Sequence, residues 1–293
     1  HIAIFIESEI WPGMTAALKN KKIPLILLNA RITKKSFKRW IKFKSFSESI
    51  FNKITAAYPQ NKVTKKFLNE LKINKIKDLG NLKLVENTYD KQDYINNKLN
   101  IQFKKYKTWI AASTHTNEEV FCAKAHIELK KKNKNLITII IPRHVHRVQD
   151  IISQIQKLNL KVVTHSSKMK TLKNVDIYIV DTFGDSQKFF KISNTVLMGK
   201  FLITKGSQNP LEAVRYGAKI LHGPNFDNFT DIFKLLKSLK ISKRITSIRQ
   251  LITEITFKKD MRRGLKIKKI GVLILKKTLK ELEIYINNEP KKT

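Results

Sequence analysis

Residues 108–158 decide the fold, and they read TWIAASTHTNEEVFCAKAHIELKKKNKNLITIIIPRHVHRVQDIISQIQKL. TWIAAST and LITIIIP are continuous apolar runs of strand length. Each is followed by a segment with the pattern of a helix, over 118–132 and 146–158. Continuous apolar strands that alternate with helices are typical of a parallel sheet covered on both faces. The stretch therefore predicts an open α/β sheet.

The same alternation extends along the chain in both directions. Further strands are predicted in the apolar runs 2–6, 23–30, 53–59, 75–79, 160–166, 175–181, 194–199 and 218–224. Helices are predicted between them, among others over 12–20, 34–51, 61–71 and, as a basic tail, 266–287. A chain of 293 residues has room for two domains of roughly 100–200 residues each. We therefore expect two doubly wound α/β units.

A polar segment separates the two units. Residues 84–104 lack apolar periodicity and are interpreted as a linker. The predicted organisation is a first domain over 1–84 that begins halfway, a linker over 85–104, a complete second domain over 105–272 and a C-terminal helix over 273–293.

Composition limits the classes of partner and site. Lys and Arg number 59 against 23 Asp and Glu, and the net charge of +36 favours polyanions such as nucleic acid, anionic lipid or phosphorylated ligands. A lysine bias throughout the sequence would give the same excess without any partner. The single cysteine, Cys122, excludes an internal disulfide and a multi-cysteine zinc site, and its apolar neighbours predict a buried thiol. No apolar run reaches the roughly 18 residues that span a membrane.

Candidate site residues follow the strands, because open parallel sheets bind ligands beyond the carboxyl ends of their strands. After the first strand, ESEIWP places Glu7 and Glu9 on one side of an extended segment. Two close carboxylates could share a proton or accept one from a hydroxyl group. The alternative is that one of them caps the helix that starts near Trp11.

The segment ASTHTNEE is a candidate anion site. Small hydroxyl side chains precede a helix entered at Asn117, and Thr116 with Glu119 has the spacing of a capping box. His115 in this loop is either a base or a structural histidine.

The segment PRHVHR follows the next strand and is strongly basic. Arg143 and Arg147 could bind a phosphate or a carboxylate through their guanidinium groups, or they could lie on a solvated basic loop. His144 and His146 lack a third ligand, so no metal site is predicted.

The segment KGSQNPLEAVRYG has the features of a nucleotide-binding loop and helix. Gly206 permits close approach of the backbone to a phosphate, Asn209 is a candidate N-cap and Pro210 fits the first helical position. Glu212 in the first turn could accept both hydroxyls of a ribose. It could also simply cap the helix by its charge.

The chain resembles the 3-deoxy-D-manno-octulosonic acid (Kdo) transferases of lipopolysaccharide assembly over nearly its whole length. The ordered set of motifs is ESEIWP, LNARITKKS, GNLK, AASTHTNEE, IPRHVHR, DTFGD and NPLEAVRYGAKILHGPNFDNF. The resemblance implies a GT-B architecture, in which two Rossmann-like, doubly wound parallel-sheet domains face a cleft and a C-terminal helix crosses back to the first domain. The first domain is expected to be incomplete here.

The resemblance also implies an activity and its partners. It implies an inverting, metal-independent transfer of Kdo from CMP-Kdo to a lipid A precursor (lipid IVA), with no cofactor. The implied partners are CMP-Kdo, the lipid A precursor and the anionic surface of the bacterial inner membrane on its cytoplasmic face, with no specific nucleic acid. The general base of the family belongs to a segment that would precede this chain, so the chain alone is expected to be inactive.

Carried over residue by residue, the resemblance assigns the site. Glu7 becomes a catalytic carboxylate on the acceptor side, Arg143 a donor-cleft arginine and Glu212 the partner of the nucleotide ribose. The other implied donor-binding residues are Ser113, His115, Thr182, Phe183, Gly184, Gly206 and Asn209.

The sequence departs from the family pattern at three places. MGK at 198–200 stands where GGS is usual, GSQN at 206–209 where GGHN is usual, and Asp185 where Glu is typical. A lost glycine restricts the approach of backbone to phosphate, whereas Lys200 and Gln208 could supply replacement donors. Ser207 is the other altered glycine position. Donor affinity is therefore in question, but the fold is not.

A basic helical stretch with aromatic residues is predicted to face the acceptor and the membrane. Lys35, Arg39 and Trp40 represent this face, which suits an anionic membrane and a phosphorylated lipid, although a merely solvated helix has the same pattern. The alternative function is a non-catalytic relative that binds nucleic acid or membrane surfaces. The charge favours it, and the lack of a nucleic-acid-binding motif opposes it. A GT-B enzyme for another sugar nucleotide is a further possibility.

Overall fold

The structure, a computed structural model, divides the chain into two compact units. It describes residues 2–85, 95–168, 171–200, 202, 208–226 and 229–286. The first unit comprises His1–Asn87 and Lys268–Thr293, and the second comprises Thr88–Ile267. Every strand pair described in either unit is parallel, so the predicted α/β class with parallel sheets is confirmed.

The first unit is built on a three-stranded sheet in the order β1–β2–β3. Its strands are β1 (Ala3–Ile6), β2 (Leu25–Ala30) and β3 (Ala56–Pro59). Its helices before residue 87 are α1 (Pro12–Asn20), α2 (Lys34–Lys42), α3 (Lys44–Phe51) and α4 (Lys62–Glu70). The central strand β2 is almost wholly buried, as its continuous apolar run predicts. The strand predicted over 75–79 is reduced to one bridge between Ala57 and Ile76.

The helix predicted over 34–51 is wrong as a single element. Phe43 leaves the helical conformation, at φ −117° and ψ 62°, and separates α2 from α3. The break frees carbonyl groups at the end of α2, and the Ser47 hydroxyl donates to the carbonyl oxygens of Trp40 and Phe43.

Two aromatic side chains of α2 point into the first unit. The Phe37 ring stacks on Phe67 with centroids 4.0 Å apart, and Trp40 meets Phe51 edge-to-face at 5.2 Å. Both Phe37 and Trp40 pack against the apolar core of this unit. The prediction that Trp40 lies on an exposed basic face is therefore wrong, because its ring is used for core packing.

The long helix α12 (Arg262–Ile286) confirms the predicted helical tail over its described part. In the first unit it approaches the rest of the chain closely: a Cβ on Gly271 would lie 2.4 Å from the Leu84 carbonyl oxygen. Glu281 on the same helix is buried and pairs with Lys77, whose ammonium group holds the pKa of that carboxyl below its ordinary value.

The second unit contains a seven-stranded sheet in the order β10–β9–β8–β4–β5–β7–β6. Its strands are β4 (Lys107–Thr114), β5 (Leu136–Pro142), β6 (Val162–Thr164), β7 (Ile177–Ile179), β8 (Thr195–Met198), β9 (Lys219–His222) and β10 (Ser242–Arg244). Its helices are α5 (Asn97–Phe103), α6 (Glu118–Lys132), α7 (Val148–Gln156), α8 (Ser186–Phe190), α9 (Leu211–Arg215), α10 (Thr230–Ser238) and α11 (Ile248–Glu254). The strands of 108–158 form the centre of this sheet.

Some elements of the second unit differ from the sequence-based prediction. Helix α5 lies inside the segment interpreted as a linker, whose residues 86–94 are outside the described ranges. The helix predicted over 146–158 is a 3-10 turn, Val145–Arg147, followed by α7. The thiol of Cys122 is fully buried on α6, as predicted, and burial raises its pKa well above the ordinary value.

Candidate functional site

The second sheet changes direction between β4 and β8. From β4 the chain adds β5, β7 and β6 on one side, and it then returns to add β8, β9 and β10 on the other. Ligands of such sheets bind at this switch point, beyond the carboxyl ends of the strands. Ser113 and His115 lie at the end of β4, Arg143 follows β5, and Lys200 follows β8. The fold thus brings these predicted residues to one edge.

The backbones at the ends of β4 and β8 touch. Ser113 has a φ of 55°, and the β4–β5 register shifts at this residue. A Cβ on Gly199 would lie only 2.0 Å from the Ser113 carbonyl oxygen. The glycine retained in the MGK segment is therefore required by packing, while the next residue, Lys200, has a φ of 70°.

Glu118 ties the two loops together. Its carboxylate is fully buried and accepts hydrogen bonds from the backbone N–H groups of His115 (2.9 Å), Lys200 (2.9 Å) and Leu202 (3.0 Å). One side chain thereby fixes loops that are more than 80 residues apart in sequence. Sequence reasoning missed Glu118, although an acidic first helical residue after a strand and loop is a usable signal for such a bond.

The predicted capping box of Thr116 and Glu119 is wrong. Asn117 before α6 has a φ of 71°, in the left-handed region, and makes no side-chain cap. Glu119 instead accepts from the Thr114 hydroxyl at 2.9 Å and pairs with both terminal nitrogens of the Arg147 guanidinium at 3.0 and 3.3 Å. Arg147 is therefore occupied by a buried carboxylate and is not the free anion ligand that the motif suggested.

His115 is the one described histidine of this edge with a buried and unsatisfied nitrogen. Its Nε2 atom has no hydrogen-bond partner, and its ring lies 5.8 Å from the ring of His144. Burial lowers the pKa of His115, and nearby basic groups lower it further. These groups are Lys200, His144, Arg147 and Arg143. An uncharged imidazole ringed by cations can exchange a hydrogen bond with an anionic ligand, which the cations attract.

The turn DTFGD lies at the same edge, after β7. The Thr182 hydroxyl donates to the Asp185 carboxylate, the Phe183 side chain is 85% exposed, and Gly184 has a φ of 83° with open space on its Cβ side. Burial acts to raise the pKa of Asp185, but hydrogen bonds from Lys188 and Thr182 outweigh it and lower the pKa. The β5 strand separates this turn from the end of β4.

The predicted nucleotide helix is α9, and it begins one residue later than expected. The Asn209 side chain accepts from the Leu211 N–H at 3.1 Å, so Pro210 precedes the helix instead of opening it. Glu212 is half-buried in the first turn. Gly206 lies outside the described residues.

In the first unit, Glu7 and Glu9 do not form the predicted acid pair. Glu7 leaves β1 with a φ of 57°, which turns the chain, and its carboxylate pairs with Lys83 at 3.0 Å. Glu9 is exposed and accepts from the Trp11 indole at 3.0 Å. Neither acid caps α1, which begins at Pro12 without a side-chain cap.

The acceptor-side residues separate on α2. Lys35 and Arg39 are exposed, whereas Trp40 faces the core. The rings that do face outward next to these cations are Phe43, at 63% exposure, and Phe46, at 57%. The exposed basic–aromatic surface therefore has different rings from those predicted.

Two further properties concern the described residues only. No three of their His, Cys, Asp or Glu side chains are grouped as a metal site would require. Among their helices, none combines the length and the apolar character needed to cross a bilayer.

The fold is that of the GT-B class. HepE from Anabaena, solved with UDP, matches 96% of this chain and 78% of its own at a TM-score of 0.55 and 11% identity. The pneumococcal O-GlcNAc transferase GtfA matches 97% of this chain and 57% of its own at a TM-score of 0.50 and 14% identity. Likeness at such identities concerns the fold alone, and it confirms the predicted fold class.

Sequence comparison adds the family. The family described as "3-Deoxy-D-manno-octulosonic-acid transferase (kdotransferase)" matches residues 1–86. A 3-deoxy-D-manno-octulosonic acid transferase of Rickettsia felis is 31% identical over 92% of this chain, and one of Haemophilus influenzae is 28% identical over 80%. The chain spans 57% and 56% of the length of these two relatives. The chain is a homologue of the Kdo transferases, and the resemblance of its motifs is confirmed.

Proposed function

We propose that this chain carries the donor-binding part of a glycosyltransferase that moves Kdo from CMP-Kdo to a lipid A precursor in lipopolysaccharide biosynthesis. The observation that carries the proposal is the buried, unpartnered Nε2 of the His115 imidazole at the switch point, near the cations Arg143 and Lys200. The relatives named for Kdo transfer give the proposal its substrate class.

The proposed chemistry follows from the charges of the donor. CMP-Kdo carries a phosphate and a carboxylate, and Arg143 and Lys200 can neutralise both. As the bond between the anomeric carbon and the phosphate oxygen breaks, its electron pair leaves with CMP, and these cations with the His115 N–H stabilise the charge that develops. The acceptor oxygen attacks from the opposite face, which inverts the anomeric centre, and its proton passes to a carboxylate base.

The remaining donor residues recognise the nucleotide in this proposal. Glu212 accepts the ribose hydroxyls, and Asn209 holds the start of its helix. The backbone of Thr182, Phe183 and Gly184 faces the phosphate, since Gly184 leaves open space there. Lys200 replaces the donors that a second glycine and a serine give to other family members.

The acceptor side is proposed to meet an anionic membrane surface, the cytoplasmic face of the bacterial inner membrane. Lys35 and Arg39 attract anionic headgroups, and the exposed Phe43 and Phe46 rings enter the interface. Glu7, held by Lys83, orients the acceptor hydroxyl.

Arg143→Ala is expected to weaken CMP binding by roughly tenfold to a hundredfold, because a hydrogen bond to a charged group contributes about 1.5–3 kcal/mol. Isothermal titration calorimetry at fixed ionic strength measures it. The control is Arg262→Ala, which removes the same charge from a side chain that is 84% exposed and pairs with Asp260.

CMP affinity should also rise as pH falls through the lowered pKa of His115, since the imidazolium adds positive charge. His115→Gln should remove this increase in CMP affinity at low pH.

Three results would count against the proposal. Equal losses in the Arg143 and Arg262 variants would mean that only net charge matters. Tighter binding of UDP than of CMP would indicate another sugar nucleotide. Strongly salt-dependent binding of random duplex DNA without any CMP binding would favour the nucleic-acid alternative.

Phe43→Ser combined with Phe46→Ser is expected to reduce binding to phosphatidylglycerol vesicles by roughly tenfold, because two interfacial rings are lost. Vesicle co-sedimentation measures the change, with phosphatidylcholine vesicles as the uncharged comparison. Val63→Ser with Ile101→Ser removes two comparably exposed apolar side chains elsewhere and should change little. Equal binding of the two double variants would show that this surface is not the contact.

A further inference from the structure

A cavity of about 720 Å³ lies in the second unit, away from the candidate donor site. Lys107 and Thr108, which line it, begin β4, and Ile192 and Asn194 shortly precede β8. The donor-site residues lie at the other ends of these strands. Since β4 has eight residues and a strand rises about 3.3 Å per residue, the two ends of this strand are roughly 23 Å apart. Lys188, which also lines the cavity, lies nearer the donor side, because its ammonium group pairs with Asp185 of the DTFGD turn at 2.7 Å.

The cavity is lined by positive charge. Its lysines are Lys104, Lys107, Lys188, Lys191 and Lys259, of which Lys188 is paired with the carboxylate of Asp185, a residue outside the lining. None of the described lining residues is acidic. A concave surface with one sign of charge concentrates counter-ions, so the occupant that this lining favours is an anion.

The same cavity is lined by aromatic rings. They belong to Phe103, Tyr106, Tyr216 and Phe257. The Lys107 Nζ lies 5.5 Å from the centroid of the Phe257 ring, and the Lys191 Nζ lies 5.4 Å from that of Tyr216. Cations held over ring faces give the cavity both charged and flat apolar contact surfaces.

The described polar partners of two lining lysines are neutral. The Lys259 ammonium donates to the Lys191 carbonyl oxygen at 2.6 Å, and the Lys107 ammonium donates to the Asn133 amide oxygen at 2.7 Å. Each ammonium group has three donors, so these bonds orient it without neutralising its charge. Both groups keep donors for a ligand.

We propose that this cavity is a second ligand site, which binds a small organic phosphate bearing a planar ring, as a nucleotide does. Its volume lies within the roughly 300–1,000 Å³ of small-molecule sites. Lysine ammonium groups bind phosphate as point charges, and aromatic side chains stack on bases without sequence preference. The site is separate from the one that we propose for CMP-Kdo.

Calorimetric titration of ATP into the full chain, with CMP at saturation, tests the proposal. ATP supplies phosphates and a ring, pyrophosphate supplies phosphates alone, and adenosine supplies the ring alone. We expect ATP to bind despite CMP, and to bind at least tenfold more tightly than either part. Displacement of ATP by CMP would assign its binding to the donor site and overturn the second site. Pyrophosphate binding as tight as that of ATP would overturn the ring requirement.

Matched lysine variants locate the site. Lys104→Gln with Lys107→Gln is expected to weaken ATP binding by about tenfold, while Lys105→Gln with Lys258→Gln removes the same charge from exposed neighbours that do not line the cavity. Equal losses in the two pairs would reduce the effect to general surface charge and overturn the proposal. If CMP does not bind at all, the proposed function fails, but the two lysine pairs still decide whether the cavity binds ATP.

Discussion

Gly199→Ala is expected to destabilise the second unit by roughly 3–5 kcal/mol, a large share of the stability of an ordinary domain. The added Cβ would stand 2.0 Å from the carbonyl oxygen and 2.5 Å from the carbonyl carbon of Ser113. These are backbone atoms of a central strand and cannot rotate away. Relief requires β8 to move from β4, which would break the 2.7 Å bond from the Gly199 N–H to the Ala112 carbonyl oxygen.

Urea unfolding followed by the fluorescence of Trp109 measures this loss. Trp109 is fully buried in β4, and Trp11→Phe with Trp40→Phe removes the signals of the first unit. Gly184→Ala is the control, because Gly184 has nothing near its Cβ position and only its φ of 83° opposes a side chain. It should cost only the backbone strain of about 1 kcal/mol. Equal costs at the two glycines would show that the β8 loop yields easily.

Glu118→Ala is expected to cost the second unit about 3–5 kcal/mol. The variant leaves three N–H groups, those of His115, Lys200 and Leu202, without the carboxylate that they share, and an unsatisfied buried group costs about 1–3 kcal/mol. Glu118→Gln keeps a carbonyl oxygen as acceptor and should fall between wild type and alanine. The same Trp109 signal reports both variants.

Glu128→Ala is the matched control on the same helix. The Glu128 side chain is 49% exposed and pairs only with Lys131 among described residues, so its removal should change the free energy of unfolding by less than about 1 kcal/mol. In Glu118→Ala, CMP affinity should also fall, since the N–H groups of both loops lose their alignment. A Glu118 variant as stable as the Glu128 variant would mean that other contacts hold the loops.

The sequence predicts the elements whose signal is local, such as an apolar run. It does not predict conformations or side-chain directions that depend on contacts with distant residues. TWIAAST and LITIIIP are read correctly as strands because a continuous apolar run has few other uses in a doubly wound sheet. The break at Phe43 is invisible, because the amphipathic pattern continues across it while one backbone torsion leaves the helix. Trp40 is misplaced for a related reason: its neighbours are basic, yet its ring packs on Phe51.

The residues of the candidate site also fall into a predictable and an unpredictable group. Ser113, His115 and Arg143 follow apolar strands, and parallel strands bring their carboxyl ends together, so their common edge is predictable. The choice of Glu118 over Glu119 as the loop acceptor depends on the left-handed Asn117, which no spacing rule contains. The lysines of the second cavity extend from Lys104 to Lys259, and only the folded sheet brings them to one surface.

The burial of Cys122 makes its thiol a probe of local unfolding in the second unit. A thiol-specific reagent reacts with the thiolate form of cysteine. While α6 lies on the sheet, burial keeps the reagent away from this side chain, and the raised pKa keeps the thiol protonated. Because the sequence holds no other cysteine, every labelled molecule has opened at Cys122, in the second unit. The rate of maleimide incorporation, followed by mass spectrometry, therefore reports the transient opening of the second unit.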